Sequence, residues 1–131
     1  MLDEPGLHLC FFIHSYYPNT MIKCIKCQHD LKCTLSILTE EEDRPIEISY
    51  QWWVCENCGV KYYGILEDSH VNIFDDKLLH KGYLVEEHKW QESLEEALKC
   101  PDPRNSNCKC EFHRDAPPAG FYGDSAWYTN D

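Results

Sequence analysis

Eight residues of this chain carry the chemistry its sequence can offer. Cys24 and Cys27 form one Cys-x2-Cys pair, and Cys55 and Cys58 form a second after 27 intervening residues. Cys100, Cys108, Cys110 and His113 crowd into the stretch CPDPRNSNCKCEFH. A two-residue spacer lets one tight turn aim two thiolates at a single ion while backbone amides donate to sulfur, and two such turns complete a tetrahedron. Four sulfurs so arranged suit Zn²⁺, or iron in a mononuclear site, and disfavour the oxygen-seeking Mg²⁺ and Ca²⁺.

The later stretch supplies three thiols and one imidazole, the number of ligands a closed zinc site requires. Pro101 and Pro103 stiffen it, and Asn105, Ser106 and Asn107 are turn formers that can bring Cys108 back towards Cys100. The expectation is a local site of Cys100, Cys108, Cys110 and His113, and two Zn²⁺ per chain in all. Two other readings stand beside it: a loop with idle surface thiols, or a partial site that borrows Cys33 or a histidine from elsewhere.

The elements that would position these groups alternate with them. MIKCIKC is followed by the β-compatible run CTLSILT, an acidic break EEEDRP, the run IEISYQWWV, then CENCG and VKYYGIL. The order is knuckle, strand, turn, strand, knuckle, strand, and Gly59 after Cys58 allows a positive φ as the chain leaves the second knuckle. The charge run Glu40 to Asp43 reads as a solvated hairpin tip.

Residues 21–66, with these paired knuckles, resemble the zinc-ribbon superfamily, whose rubredoxin-like members join two such knuckles by a β-hairpin. The resemblance implies that Cys24, Cys27, Cys55 and Cys58 are the ligands, of zinc or of iron. The first knuckle departs from the familiar pattern by placing Gln28 where glycine is usual. Cys33 and His29 lie close enough in sequence to compete as ligands.

Beyond the ribbon, Val71 and Ile73 suggest one more edge strand and Gly82 a break. In LVEEHKWQESLEEALK, residues 84–99, Trp90, Leu94, Ala97 and Leu98 recur at the spacing of one helical face. Pro101 disfavours helical geometry at Cys100 and should end that helix. The tail DAPPAGFYGDSAWYTND reads as an irregular strap anchored by Phe121, Tyr122, Trp127 and Tyr128. The expected class is thus a small α+β fold: an antiparallel ribbon sheet over 21–68, then 69–131 with an edge strand, one helix and a metal-stapled tail. Residues 1–20 are expected to be an extension, with Met21 an alternative start.

Composition narrows the functions. The nine cysteines are odd in number, and MLDEPGLHLC carries acidic residues where a secretory leader needs positive charge, so a reducing cytoplasm is expected over a disulfide framework. No apolar run reaches the roughly 18 residues of a membrane span. A formal net charge of -11 argues against nucleic acid and for a protein partner, a basic one above all.

The chain has no His-Glu-x2-His, deaminase, Gly-x-Ser-x-Gly or phosphate-loop pattern, and a four-cysteine site leaves no open position for water. His113-Arg114-Asp115 copies a kinase trio without the rest of a kinase, and His70, His80 and His88 read as surface or core residues. The expected function is therefore non-enzymatic: a zinc-binding adaptor. Rubredoxin-like electron transfer and an acidic inhibitor or immunity-type protein are the alternatives. One ambiguity is left to the fold: Trp52 and Trp53 are adjacent in a strand and must point to opposite faces. Either the helix and tail cover the second face, or one Trp is an exposed contact.

Overall fold

The computed structural model describes residues 22–40, 46–70, 76–115 and 120–130. The extension 1–20, the tip of the acidic turn and the Val71/Ile73 alternation lie outside the described residues. Five strands, β1 (Lys32–Glu40), β2 (Ile46–Val54), β3 (Lys61–His70), β4 (Asp76–Val85) and β5 (Asp124–Asn130), form one antiparallel sheet in sequence order. Their β-branched and aromatic residues fit a pleated surface buried on both faces. Lys32 pairs with Val54 at one end of the first hairpin, so the knuckles before β1 and after β2 emerge side by side.

The sheet answers the question of the two tryptophans. Trp52 is fully buried on one face with Tyr50, Tyr63, Ile37 and Leu35, beneath Trp90, Leu94 and Phe121. Trp53 is just as buried on the other face, with Tyr62 and Cys33, and meets Trp127 of β5 edge to face at 6.0 Å. Each face therefore carries its own aromatic layer, and neither Trp is an exposed contact.

The helix predicted over 84–99 is α1, Glu87–Ala97, with Trp90, Leu94 and Ala97 buried. Leu84 and Val85 belong to β4 because the two-residue period of the sheet continues through them: Tyr62 pairs with Leu84 and Lys61 with Val85. Leu98 sits at the C-cap and is exposed, so the apolar face ends one residue early. Side-chain bonds dock the helix on the sheet, including one of 2.8 Å between Tyr63 Oη and Ser93 Oγ. Trp52 Nε1 donates to Ser93 Oγ at 2.9 Å, Tyr63 Oη to the Lys89 carbonyl at 3.1 Å, and Trp90 Nε1 to the Tyr62 carbonyl at 3.1 Å.

Two readings of the second half are corrected. The tail is a strand from Asp124 onward, in which Phe121 and Trp127 are the anchors while Tyr122 and Tyr128 stay exposed. Gly82 does not break the chain. It lies inside β4 opposite Gly64, and the Trp127 ring occupies the space that a Cβ would need. A second short helix, α2 (Glu111–Asp115), adds to the one that the sequence predicted.

Candidate metal centres

The two knuckles are built alike, from backbone bonds that the Cys-x2-Cys spacing allows. The Gln28 amide donates to the Cys24 carbonyl at 2.9 Å, and the Gly59 amide to that of Cys55 at 2.7 Å. The Cys24 amide donates to the His29 carbonyl and the Cys55 amide to the Val60 carbonyl, at 2.8 and 2.9 Å. Gln28 and Gly59 occupy equivalent places and both have positive φ, 67° and 85°. The residue that departs from glycine in the sequence thus adopts a glycine conformation, at a cost of about 1–2 kcal/mol.

These turns bring Cys24, Cys27, Cys55 and Cys58 together, every sulfur within 4.8 Å of the others. Sulfurs bound tetrahedrally at about 2.3 Å from one ion stand about 3.8 Å apart. Cys24 and Cys58 are 3.6 Å apart, and Cys27 and Cys55 3.4 Å, all four being free thiols. The donor set and its spacing fit a four-sulfur metal centre. Cys24 and Cys55 are fully buried, Cys27 half-buried and Cys58 exposed, so the centre lies at the surface with one side open.

Cys33 and His29 are not part of it. Cys33 is disulfide-bonded and buried in the layer of Trp53 and Tyr62. His29 turns its Nδ1 to the Cys27 carbonyl at 3.2 Å.

The second set forms where α1 ends. Cys100 closes the final turn by donating its amide to the Ala97 carbonyl at 3.0 Å, and Pro101 takes the chain away from helical geometry. Asp102 and Asn105 then reverse it: the Asn105 amide bonds the Asp102 carbonyl and the Cys108 amide the Asn105 carbonyl, at 3.1 and 3.0 Å. Cys110 precedes α2, whose first turn presents His113 to the thiols.

The result is a cluster of Cys100, Cys108, Cys110 and His113 within 4.8 Å. Cys100 and Cys108 are 3.9 Å apart, and His113 Nδ1 is 3.4 Å from Cys100 Sγ and 3.3 Å from Cys110 Sγ. One imidazole nitrogen and one sulfur on a tetrahedral zinc would be about 3.6 Å apart. The cluster needs no residue from elsewhere.

His113 is oriented from behind. Its Nε2 lies 2.9 Å from the Leu38 carbonyl, which can only accept, so Nε2 carries a proton and Nδ1 faces the thiols. The Leu38 amide in turn donates to the Pro103 carbonyl at 2.8 Å. Both outward polar groups of this edge residue are thereby satisfied by the cysteine-rich loop.

Crowding shapes the proton balance of both sets. In the first, hydrogen bonds from the Asn57 side chain and the His29 amide lower the Cys27 thiol to about 6. At Cys58 the Val60 amide favours ionisation, but desolvation and the sulfurs of Cys24, Cys55 and Cys27 push the thiol up to about 12. In the second, desolvation opposes ionisation of Cys110, yet bonds from the side chain and amide of His113 lower it to about 6. Burial, with the sulfurs of Cys110 and Cys108, pushes Cys100 up to about 12. Each set thus places a readily ionised thiol beside one that resists charge, Cys58 in the first and Cys100 in the second, and a dication is the species that would let that thiol ionise.

No third constellation of potential metal ligands appears among the described residues. His80 is buried, with Nε2 bonded to Gln51 Oε1 at 2.8 Å, and burial lowers it to about 4. His88 is exposed beside Glu86. Arg114 and Asp115 pair with each other at 3.3 Å on the surface of α2. No described helix is long and apolar enough to cross a membrane. No family model matches the chain, and neither the curated proteins nor the solved structures contain a match to it.

Proposed function

We propose that this chain is a non-enzymatic zinc-binding protein, a zinc-ribbon module that holds two structural Zn²⁺ ions and acts by binding another protein. The observation that carries the reading is the convergence of two complete, four-membered ligand sets. Cys24, Cys27, Cys55 and Cys58 would hold one ion, and Cys100, Cys108, Cys110 and His113 the other. Each set offers four ligands, which fill a tetrahedral zinc and leave no place for the water that zinc hydrolases activate. Zinc so bound supplies cross-linking, with apparent free energies of about 10–16 kcal/mol in small zinc domains.

With the ions bound, the first centre carries a charge of +2 - 4 = -2 and the second +2 - 3 = -1, on a chain whose formal charge is already -11. Such a surface favours a basic protein partner over nucleic acid or an anionic membrane. The seven free thiols among the described residues suit a reducing compartment such as the cytoplasm, whereas the disulfide at Cys33 does not.

Elemental analysis of the purified chain tests the reading: two zinc equivalents are expected, and fewer than one would overturn it. Iron in the first centre, the electron-transfer reading, is favoured by the exposed position of Cys58, which opens the cluster to solvent. A red chain with visible absorption would establish it in place of zinc there. An acidic inhibitor or immunity-type role shares the charge argument and would show as tight, salt-sensitive binding to a basic enzyme.

A further inference from the structure

The four sulfurs of the first centre are not equivalent, and the difference comes from one tyrosine. Tyr62 of β3 is fully buried, and its hydroxyl lies 3.2 Å from Cys24 Sγ. The Ile25 amide donates to that same hydroxyl oxygen, also at 3.2 Å. An amide can only donate, so the oxygen accepts from Ile25 and keeps its own proton for the sulfur. The Lys26 amide adds a second donor to Cys24 Sγ at 3.4 Å. Among the described residues no other sulfur of either centre receives a side-chain hydroxyl.

The ring has no freedom to turn away. Trp127 packs on it at 5.5 Å between centroids, and Trp90 Nε1 holds the Tyr62 carbonyl from the opposite face of the sheet. Tyr62 leaves the second knuckle on β3 and contacts the first, so one rigid side chain ties the two halves of the centre together. At the other extreme, Cys58 is exposed and lines an open groove of about 410 Å³ bounded by Lys26, Lys61, Leu84 and Glu87.

We propose that Tyr62 is a positioning residue of the first metal centre, which holds Cys24 as its inert, charge-depleted thiolate and confines ligand exchange to the Cys58 side. The inference rests on the metal reading above. A hydrogen bond from a hydroxyl withdraws electron density from a metal-bound thiolate, which lowers its basicity and its tendency to leave as a thiol. Ligand loss then begins where the sulfur lacks this donor and meets solvent.

The test uses the full chain loaded with two equivalents of Co²⁺, comparing the unchanged protein with Tyr62→Phe. The sulfur-to-cobalt charge-transfer absorption of the first centre is expected to move to longer wavelength in Tyr62→Phe. Transfer of one cobalt equivalent to a competing chelator should quicken by about 10-fold or more. The second centre, untouched by Tyr62, is the internal control. A structural role alone would lower the melting temperature and leave the absorption in place. An unmoved band with unchanged transfer overturns the proposal and spares the metal reading. If Cys55→Ser has the same cobalt spectrum as the unchanged chain, the metal reading falls, and this proposal with it.

Discussion

His113 Nε2 and the Leu38 carbonyl oxygen stand 2.9 Å apart, although 75 positions separate the two residues in sequence. The bond ties the second cluster to the outer edge of β1, where the Leu38 amide also donates to the Pro103 carbonyl. His113→Ala is therefore expected to reduce the metal content from two equivalents to one and to speed hydrogen exchange at the Leu38 amide. Retained protection at Leu38 after loss of that ion would show that the loop holds the edge without it.

The first centre joins both knuckles to the start of the sheet, so its loss should unfold the hairpin. Cys24→Ser or Cys55→Ser should abolish one metal equivalent and the cooperative melt together, since a structural zinc contributes more than the net stability of a small domain. Unchanged metal content with an unchanged melt would refute the assignment.

Gln28 adopts a conformation natural to glycine, and its equivalent in the other knuckle is Gly59. Gln28→Gly should raise stability by up to about 1 kcal/mol: relief of the left-handed strain exceeds the extra entropy glycine brings to the unfolded chain. Chemical denaturation of the metal-loaded chain reads this directly, and a loss of stability would count against it.

Gly82 lies under the Trp127 ring, where a methyl group has no room. Gly82→Ala is expected to destabilise the chain by about 1–3 kcal/mol, the usual cost of overpacking. The accompanying change in tryptophan fluorescence would locate the damage in the Trp53 layer. A neutral substitution would mean that Trp127 sits elsewhere.

His80 is neutral in the fold, because burial lowers it from 6.5 to about 4. The unfolded chain takes up its proton near the ordinary value and the folded chain does so only lower, so the stabilisation is complete above pH 6.5 and declines as pH falls towards 4. The full loss is about 3 kcal/mol. Acid also releases metal from thiolates, so the comparison is with His80→Leu. Its stability should fall less steeply across this window, and equal slopes would remove His80 from the account.

Much of the site was legible in the sequence because Cys-x2-Cys spacing encodes its own turn. Cys24, Cys27, Cys55 and Cys58 converge as that spacing implies, and Cys100, Cys108, Cys110 and His113 close on one another without help. What could not be read was anything set by contacts distant in sequence. The tail strand depends on pairing with β4, and Asp124 to Asn130 has too little alternation to announce it. The role of Tyr62 was hidden among aromatics that all looked like core, because a ring in a β-strand gives no sign of where its hydroxyl ends. Leu84 and Val85 suited either a helix start or a strand end, and the partners Tyr62 and Lys61 decided the matter. Gly82, read as a break, was space reserved for an indole 45 positions later.

The anchoring of β1 has a mechanical consequence. This strand lies at one margin of the sheet, the place where an antiparallel structure is normally peeled apart one hydrogen bond at a time. Here its beginning follows the knuckle of Cys24 and Cys27, and its far half is gripped at Leu38 by the loop of Cys100 to His113. Tension applied at either end meets a cysteine cluster before it reaches the ladder with β2. If both clusters hold metal, the force needed to unzip this margin would depend on two cross-linked loops, one leading into the strand and one hydrogen-bonded to it at Leu38, and a chelator would soften the protein to pulling from both directions.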